Sequence, residues 1–199
     1  MVRPAQTARS ERTRDALRRA ALVRFLAQGV EDTSAEQIAA DAGVSLRTFY
    51  RHFTSKHDLL FADYDAGLAW FRAALQDRLP GESIIESVQS AIDASPYDPD
   101  AVAQIAALRA KELDPGRIVR HTRQVEAEFA DAIVDQLSKN STPTTADERL
   151  RAIVTARCIA AAVFGAMELW MVGEDRSLTE LGRLCRTALQ SLREGIIVD

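Results

Sequence analysis

The sequence has few residues that interrupt helices, with nine glycines and six prolines among 199 positions. Glycine and proline are the least favourable residues in helix interiors, and alanine, leucine and arginine, which are abundant here, are among the most favourable. Hydrophobic residues make up 47% of the chain and charged residues 27%, an ordinary composition for a globular protein with a real core. The composition therefore predicts an all-α fold.

Cysteine is scarce as well. Cys158 and Cys185 are the two cysteines, and they do not have a C-x-x-C spacing. Isolated cysteines of this kind are expected to be buried small hydrophobic residues, and a redox-sensing pair is the alternative.

Long hydrophobic segments are missing. The first residues, MVRPAQTARSERTRD, contain no apolar segment of the kind found in signal peptides. The longest apolar run, Cys158 to Val172, contains Glu168 and is expected to be too short to span a bilayer. These absences predict a cytoplasmic protein with no membrane partner.

Signatures of catalysis are also absent. The three histidines, His52, His57 and His121, have no H-E-x-x-H spacing, and the chain has neither a glycine-rich phosphate loop nor a nucleophile elbow. The acidic residues are scattered along predicted helices, as solvated charges are. The sequence thus predicts no enzyme, no bound metal and no cofactor.

The chain has no overall basic excess, since its net charge is −4. The distribution is uneven, however. Residues 1–57 contain ten Lys/Arg and six Asp/Glu (+4), and residues 58–199 contain fifteen and twenty-three (−8). A basic N-terminal region, here called the head (residues 1–57), followed by an acidic region is expected when one end of the chain binds nucleic acid. We predict a DNA-binding domain at 1–57 and a second domain at 58–199.

The stretch TSAEQIAADAGVSLRTFYRHFTSK predicts two short helices joined by a tight turn. Thr33 or Ser34 can cap the first helix, since each has Glu or Gln three residues later. Gly43 can adopt the left-handed conformation that ends a helix, and Ser45 can cap a second helix shortly afterwards. This arrangement is typical of the helix-turn-helix unit.

The second helix has two unlike faces. Phe49 and Phe53 are four residues apart and can be buried together, which leaves hydrogen-bond donors and a tyrosine hydroxyl on the outside. A helix that enters the major groove needs such an outer surface. Lys56 lies in the first turn of the next helix, where its charge opposes the helix dipole, and a DNA phosphate would explain it.

The predicted DNA contacts follow from these faces; the alternative is a solvated basic surface. The candidates are Thr33, Ser34, Ser45, Leu46, Arg47, Thr48, Tyr50, Arg51, His52 and Lys56. Within this set, Arg47, Thr48 and Tyr50 are expected to contact bases and nearby phosphates. Four others are expected mainly to position the head on phosphates: Thr33, Ser34, His52 and Lys56.

A spaced pattern of residues in this region resembles the signature of the TetR family of bacterial transcriptional repressors. The pattern is Ala39-x-x-Ala42-Gly43-Val44-Ser45-x-x-Thr48-Phe49-Tyr50-x-x-Phe53-x-Ser55-Lys56-x-x-Leu59. It covers the N-terminal third of the chain. Two departures are Arg47, where many relatives have a small residue, and Phe49, where leucine is usual.

The resemblance implies a homodimer formed through the last two helices, which pack as a four-helix bundle with those of the partner. It also implies a double-stranded, pseudo-palindromic DNA operator and a small-molecule effector that releases the repressor. Alternatives are an activator or a ligand-independent regulator of the same fold. From other classes, the alternatives are an all-helical enzyme and a protein-interaction module.

Helix patterns and helix breakers predict about nine helices in all. A basic arm at residues 1–9 is expected to precede the first helix. The predicted helices are 10–28, 34–42, 46–53, 55–79, 83–94, 99–113, 118–137, 147–172 and 177–196.

Aromatic and soft side chains in the second domain could line an apolar effector pocket, although a helical bundle needs most of them as core. Arg109, His121, Arg123 and Glu168 are candidate polar anchors. Glu168 lies in an apolar run and needs a partner if buried, which could be a ligand, an arginine or the other subunit. The predicted ligand-binding residues are Trp70, Phe71, Arg109, His121, Phe129, Phe164, Met167 and Glu168.

Overall fold

The computed structural model describes residues 4–77, 81–96, 99–140, 143–175 and 177–195. Within these ranges the chain forms nine α-helices and one short 3-10 helix, and no strand, which confirms the all-α prediction. The elements are α1 (Pro4–Gln28), α2 (Ala35–Asp41), α3 (Leu46–His52), the 3-10 helix (Lys56–Phe61), α4 (Ala62–Gln76), α5 (Ile84–Asp93), α6 (Pro99–Glu112), α7 (Pro115–Asn140), α8 (Ala146–Val172) and α9 (Leu178–Glu194).

Local sequence sets several of the helix starts. A capping box satisfies backbone N–H groups that the first turn leaves without partners. In the 3-10 helix, the Asp58 carboxylate accepts hydrogen bonds from the backbone N–H groups of Thr54 and Ser55, both at 2.9 Å. Full capping boxes begin α2, α5 and α8, formed by Ser34 with Gln37, Ser83 with Glu86 and Thr145 with Glu148.

The first helix begins earlier than expected. α1 starts at Pro4, so the prediction of a non-helical arm is wrong for residues 4–9. Proline suits the first turn of a helix, because its fixed φ angle is helical and its missing N–H would have no partner there. Arg3 lies outside the described residues.

The helix expected from Ser55 to Leu79 is divided into two elements. Its first six residues form the 3-10 helix, and α4 then runs from Ala62 to Gln76. Short 3-10 turns of this kind are frequent at the ends of α-helices. Leu79 lies outside the described residues.

The chain forms two compact units. Unit 1 comprises Met1–Asp63 and Ile105–Pro115, and unit 2 comprises Tyr64–Gln104 and Gly116–Asp199. The C-terminal part of α6 therefore belongs to unit 1. The division into functional domains at 57/58 stays a prediction.

The core of unit 1 contains the aliphatic and aromatic positions expected from helical spacing. Leu17, Ala21 and Phe25 of α1 are buried at four-residue intervals, together with Ile38 of α2 and Phe49 of α3. Arg24 of α1 also holds α2 through two hydrogen bonds to the Asp41 carboxylate, at 2.5 and 2.9 Å. The Arg24 hydrogen bonds lower the pKa of Asp41.

Unit 2 contains the two longest helices, α8 and nearly all of α7. Val125, Phe129 and Ile133 of α7 are buried at the predicted four-residue spacing. Two ion pairs join α5 to α9: Arg186 with Asp93 at 3.0 Å and Arg193 with Glu86 at 3.1 Å.

α8 differs from the other helices in its exposed surface. It has 27 residues and is long and apolar enough to cross a membrane, so the expectation that this segment is too short does not hold for the whole helix. About a third (33%) of its most apolar window is buried within the fold. Large apolar side chains remain uncovered on it, namely Leu150, Ile153, Val154, Leu169 and Val172.

The two cysteines have different environments. Cys185 on α9 is buried as expected, and burial raises the pKa of its thiol to about 12. Cys158 on α8 is exposed, which corrects the prediction that both are buried. Its α8 position lies among the uncovered apolar side chains of that helix.

Candidate nucleic-acid interface

The first helix of the helix-turn-helix unit is fixed by Ser34. Its hydroxyl accepts a hydrogen bond from the Gln37 backbone N–H at 3.2 Å, and the Gln37 side-chain carbonyl accepts one from the Ser34 N–H at 2.9 Å. The structure thus selects Ser34 as the cap, where the sequence left Thr33 and Ser34 open. The turn that follows uses Gly43 at φ 67°, a left-handed conformation that glycine adopts without strain.

The second helix, α3, begins at a serine cap. The Ser45 hydroxyl accepts a hydrogen bond from the Thr48 N–H at 3.1 Å and lies 2.9 Å from the Thr48 hydroxyl. Phe49 is fully buried and Phe53 nearly so, with their ring centroids 5.9 Å apart. α3 is therefore held at its first turn and along its inner face, as the sequence predicted.

The outer face of α3 carries Arg47, Tyr50 and Arg51, which are all exposed. Tyr50 is 54% exposed, and its ring meets the Phe49 ring edge to face at 5.2 Å. Neither arginine has a carboxylate partner within the described part of the chain. Two cations and a phenol hydroxyl are thus displayed together on a rigid helix. Leu46 and Thr48 lie at the half-buried edge of this face.

Lys56 has an internal role that the sequence did not reveal. Its ammonium donates hydrogen bonds to the backbone carbonyls of Val30 and Glu31, at 2.7 and 2.9 Å. These carbonyls lie in the loop between α1 and α2, so Lys56 ties that loop to the 3-10 helix. A phosphate is not needed to explain a cation at this position, although an ammonium has a third N–H to donate.

Thr33 and His52 are also engaged inside unit 1. Thr33 is buried, and its hydroxyl donates to the Gly29 carbonyl at 2.7 Å, so it is not available to a phosphate in this arrangement. His52 is half-buried, and its Nε2 atom is buried with no hydrogen-bond partner among the described residues. Burial lowers the pKa of His52, and the charges of Arg51 and Arg14 lower it further, which leaves the imidazole neutral at neutral pH.

The predicted ligand-binding residues fall into separate groups. Phe71, Phe129 and Phe164 form one buried aromatic cluster in unit 2, with Phe71 stacked on Phe129 at 3.6 Å and Phe164 edge-on to Phe129 at 5.7 Å. Trp70 donates its indole N–H to the Ala91 carbonyl at 3.2 Å, and Met167 is half-buried.

The candidate polar anchors have contacts or exposures of their own. The His121 ring lies 5.9 Å from the Tyr64 ring in unit 2. Arg109 lies on the part of α6 that belongs to unit 1 and contacts Leu60 and Asp63 there, and its role as a polar anchor for a ligand stays a prediction. Glu168 is exposed, so it is not a buried charge within the chain. The described residues include no cluster of His, Cys, Asp and Glu that could hold a metal.

The comparisons with known proteins agree with this geometry. The family model for bacterial regulatory proteins of the tetR family matches residues 17–62, from α1 to the start of α4. The chain is 33% identical over 204 residues to the HTH-type transcriptional regulator TcmR of Streptomyces glaucescens, covering 94% of this chain and 86% of TcmR. The chain belongs to the TetR family of bacterial transcriptional regulators.

Solved structures show the same fold. One is Thermus thermophilus FadR, a TetR family transcriptional repressor in complex with lauroyl-CoA, with a TM-score of 0.57 and 21% identity over 94% of this chain and 96% of that one. Another is SmeT, the repressor of the Stenotrophomonas maltophilia multidrug efflux pump SmeDEF, with a TM-score of 0.55 and 20% identity over 93% of each chain.

Proposed function

We propose that this TetR-family regulator is a cytoplasmic repressor that binds a pseudo-palindromic operator in double-stranded DNA as a homodimer, and that a mainly apolar small molecule releases it. The observation that carries the DNA-binding part is the outer face of α3. Arg47, Tyr50 and Arg51 are exposed on a helix that is capped by Ser45 and anchored by buried Phe49. Such a helix can enter the major groove without rearrangement.

The contacts can be divided between bases and phosphates. Arg47 and Tyr50 are three residues apart on the exposed face and are our candidates for base edges, because arginine can donate two hydrogen bonds to guanine. Arg51 and the hydroxyl groups of Ser34 and Ser45 are candidates for phosphate contacts. Thr48 supports Ser45 and lies beside this face. Thr33 and His52 act through the packing of unit 1, and Lys56 has one donor left for a phosphate.

The proposed dimer uses α8 and α9. The exposed apolar side chains of α8 are too large to be left in water at no cost, and a second copy of the same helix pair would cover them. In this proposal, protein and not lipid covers the apolar surface of α8. Glu168 lies exposed on α8, so its partner could come from the other subunit.

The aromatic cluster of unit 2 supports an apolar effector. Phe71, Phe129 and Phe164 pack closely together and offer no charge, so a ligand that enters among them would be recognised by shape and apolar surface. Release requires that the ligand bind a state with lower DNA affinity more tightly than the DNA-bound state.

Binding to the DNA that flanks the gene of this protein tests the proposal. Fluorescence anisotropy would compare that DNA with an unrelated duplex across a salt series, and affinity should fall steeply as salt rises. Arg47→Ala should weaken specific binding by about 5- to 150-fold, the effect of losing one good base contact. Arg47→Ala with Tyr50→Phe should abolish it while helical content stays unchanged.

Arg120→Ala is a matched control, because it removes an exposed arginine from α7 in unit 2. It should leave DNA affinity unchanged. If the double variant and Arg120→Ala behaved alike, or if the protein bound no DNA at low salt, the proposal would be wrong.

A further inference from the structure

Arg109 is the one charged residue among the described residues that is fully buried, with 2% of its surface exposed. It lies on α6, in the part of that helix that belongs to unit 1. Arginine is almost never buried unless its charge is paired. Its contacts therefore indicate what it holds in place.

Three contacts of Arg109 lie within four successive residues. Its Nε atom donates a hydrogen bond to the Leu60 backbone carbonyl at 2.7 Å, and a terminal guanidinium nitrogen pairs with the Asp63 carboxylate. Its guanidinium carbon lies 5.5 Å from the centroid of the Phe61 ring. These residues span the junction at which the 3-10 helix becomes α4. Arg109 therefore binds α6 to this junction by charge, hydrogen bond and ring contact together.

A buried ion pair is a costly way to fill a core. Removing two charges from water offsets much of their attraction, and apolar residues of similar volume often stabilise a fold as well or better. The planar guanidinium of arginine, however, presents its donors in a fixed fork and so restricts the arrangement of its partners, whereas apolar contacts tolerate sliding. A buried pair is therefore weak evidence of stability, and the directional donors of arginine restrict where its partners can lie.

The Arg109–Asp63 pair lies close to the points at which the chain passes between the two units. The chain passes from one unit to the other at 63/64, 104/105 and 115/116, and these points lie within α4, α6 and α7. Asp63 is the last residue of unit 1 before the first crossing, and Arg109 lies one turn beyond the second. Their pairing ties together two of the three helices that leave unit 1.

We propose that Arg109 is a positioning residue for operator binding. By locking α6 to the start of α4 it holds these two helices in one arrangement, and this keeps the two α3 helices of a dimer at a fixed spacing. This inference rests on the proposed function of α3. Arg109 makes none of the proposed DNA contacts, yet in this inference it decides how well both half-sites are bound at once.

The spacing between the two α3 helices affects the affinity for a complete operator, which has two half-sites. It does not affect the affinity for a single half-site. After the first head binds, the second binds intramolecularly, with an effective concentration that is high only if its position is fixed. Loosening the Arg109–Asp63 pair should reduce this advantage and leave the intrinsic affinity of each head unchanged. A residue that served stability alone would affect both in the same way.

The test compares a complete palindromic duplex with a duplex that carries one half-site, both taken from sequences selected by the wild-type protein. Arg109→Met with Asp63→Leu removes both charges at similar volume and should keep the unfolding temperature near that of the wild type. We expect half-site affinity to stay within about two-fold and complete-operator affinity to fall by about ten-fold or more. Insertion of one base pair between half-sites should weaken the wild type more than this variant.

Arg24→Met with Asp41→Leu is the matched control, because this pair also lies in unit 1 but joins α1 to α2. It should leave the ratio of complete-operator to half-site affinity unchanged. A folded Arg109/Asp63 variant with the wild-type ratio and the wild-type response to spacing would overturn the inference. So would an equal loss on both duplexes.

If the double variant does not fold, the two affinities are measured for Arg109→Lys instead. This variant keeps the charge but not the fork of donors. If neither folds, Arg109 is a stability residue and the inference fails. If the wild type itself prefers no DNA sequence, the proposed function fails instead.

Discussion

α3 in unit 1 and α8 in unit 2 are both capped helices with a buried apolar face, and they differ in what they leave uncovered. α3 exposes two arginines and a tyrosine, whereas α8 exposes large aliphatic side chains along its length. Donors without internal partners suit a polar, negatively charged partner, and uncovered aliphatic groups suit a second protein surface. The uncovered groups of each helix thus indicate the chemistry of its partner.

The largest effect of a single substitution is expected on the exposed surface of α8. Leu169 is 58% exposed, and Leu169→Asp should place a charge in the proposed dimer contact. The variant should sediment as a monomer and lose at least about 100-fold in affinity for a palindromic operator, because two linked heads gain that much from binding together.

Ala127→Asp is the control for this change, since it adds the same carboxylate at an exposed position of α7. It should remain dimeric with unchanged operator affinity. A dimeric Leu169→Asp protein would show that α8 is covered by something other than a second copy.

Neighbouring aromatic residues on the inner and outer faces of α3 should differ in how much they stabilise the fold. Phe49 is fully buried, so Phe49→Ala should lower the free energy of unfolding by about 3–5 kcal/mol. Exposed Tyr50 should tolerate Tyr50→Phe within about 0.5 kcal/mol. Urea denaturation gives both values, and equal costs at the two positions would contradict the two-faced description of α3.

Lys56 tests whether a cation that follows the helix-turn-helix serves the fold or DNA binding. Lys56→Met removes the donor from the carbonyls of Val30 and Glu31 and should lower the free energy of unfolding by about 1–3 kcal/mol. Lys111→Met, at an exposed lysine of α6, should have little effect. Unchanged stability with weaker DNA binding would instead make Lys56 primarily a phosphate contact.

The smallest effect is expected from a surface pair of unit 2. Hydrogen bonds from the Ser83 backbone and hydroxyl, and then from Arg193, lower the pKa of Glu86 from 4.5 to about 2. Because the folded-state pKa is the lower one, the Glu86 charge stabilises the protein above pH 4.5, and this contribution is lost as the pH falls towards 2. Glu86→Gln should therefore melt slightly below the wild type at neutral pH, with the difference vanishing in strong acid. A difference that grew in acid would contradict this assignment.

The helix-turn-helix was predictable because its determinants are local. Ser34, Gly43 and Ser45 act on backbone groups a few residues away, and the spacing of Phe49 and Phe53 fixes the inner face of α3. The 3-10 start of α4 was not predictable, since the capping pattern at Asp58 is compatible with both helix types.

Residues whose partners are distant in sequence were assigned less well. Lys56 pairs with carbonyls about 25 positions earlier and Arg109 with a carbonyl 49 positions earlier, and neither partner leaves a pattern in the sequence. Cys158 was expected to be buried, and the apolar neighbours of Glu168 left open whether it is buried, yet on α8 the apolar character continues around the exposed side, where both residues lie. A fully apolar helix does not distinguish its core face from its interface.

The unequal cysteines give this chain a built-in reporter. The thiol of Cys185 is buried with a pKa of about 12 and so stays protonated and unreactive towards alkylating dyes, whereas Cys158 is exposed on the uncovered face of α8. A maleimide fluorophore would attach at a single native position without mutagenesis. Its labelling rate, followed as protein concentration rises, would record directly when that face of α8 becomes covered.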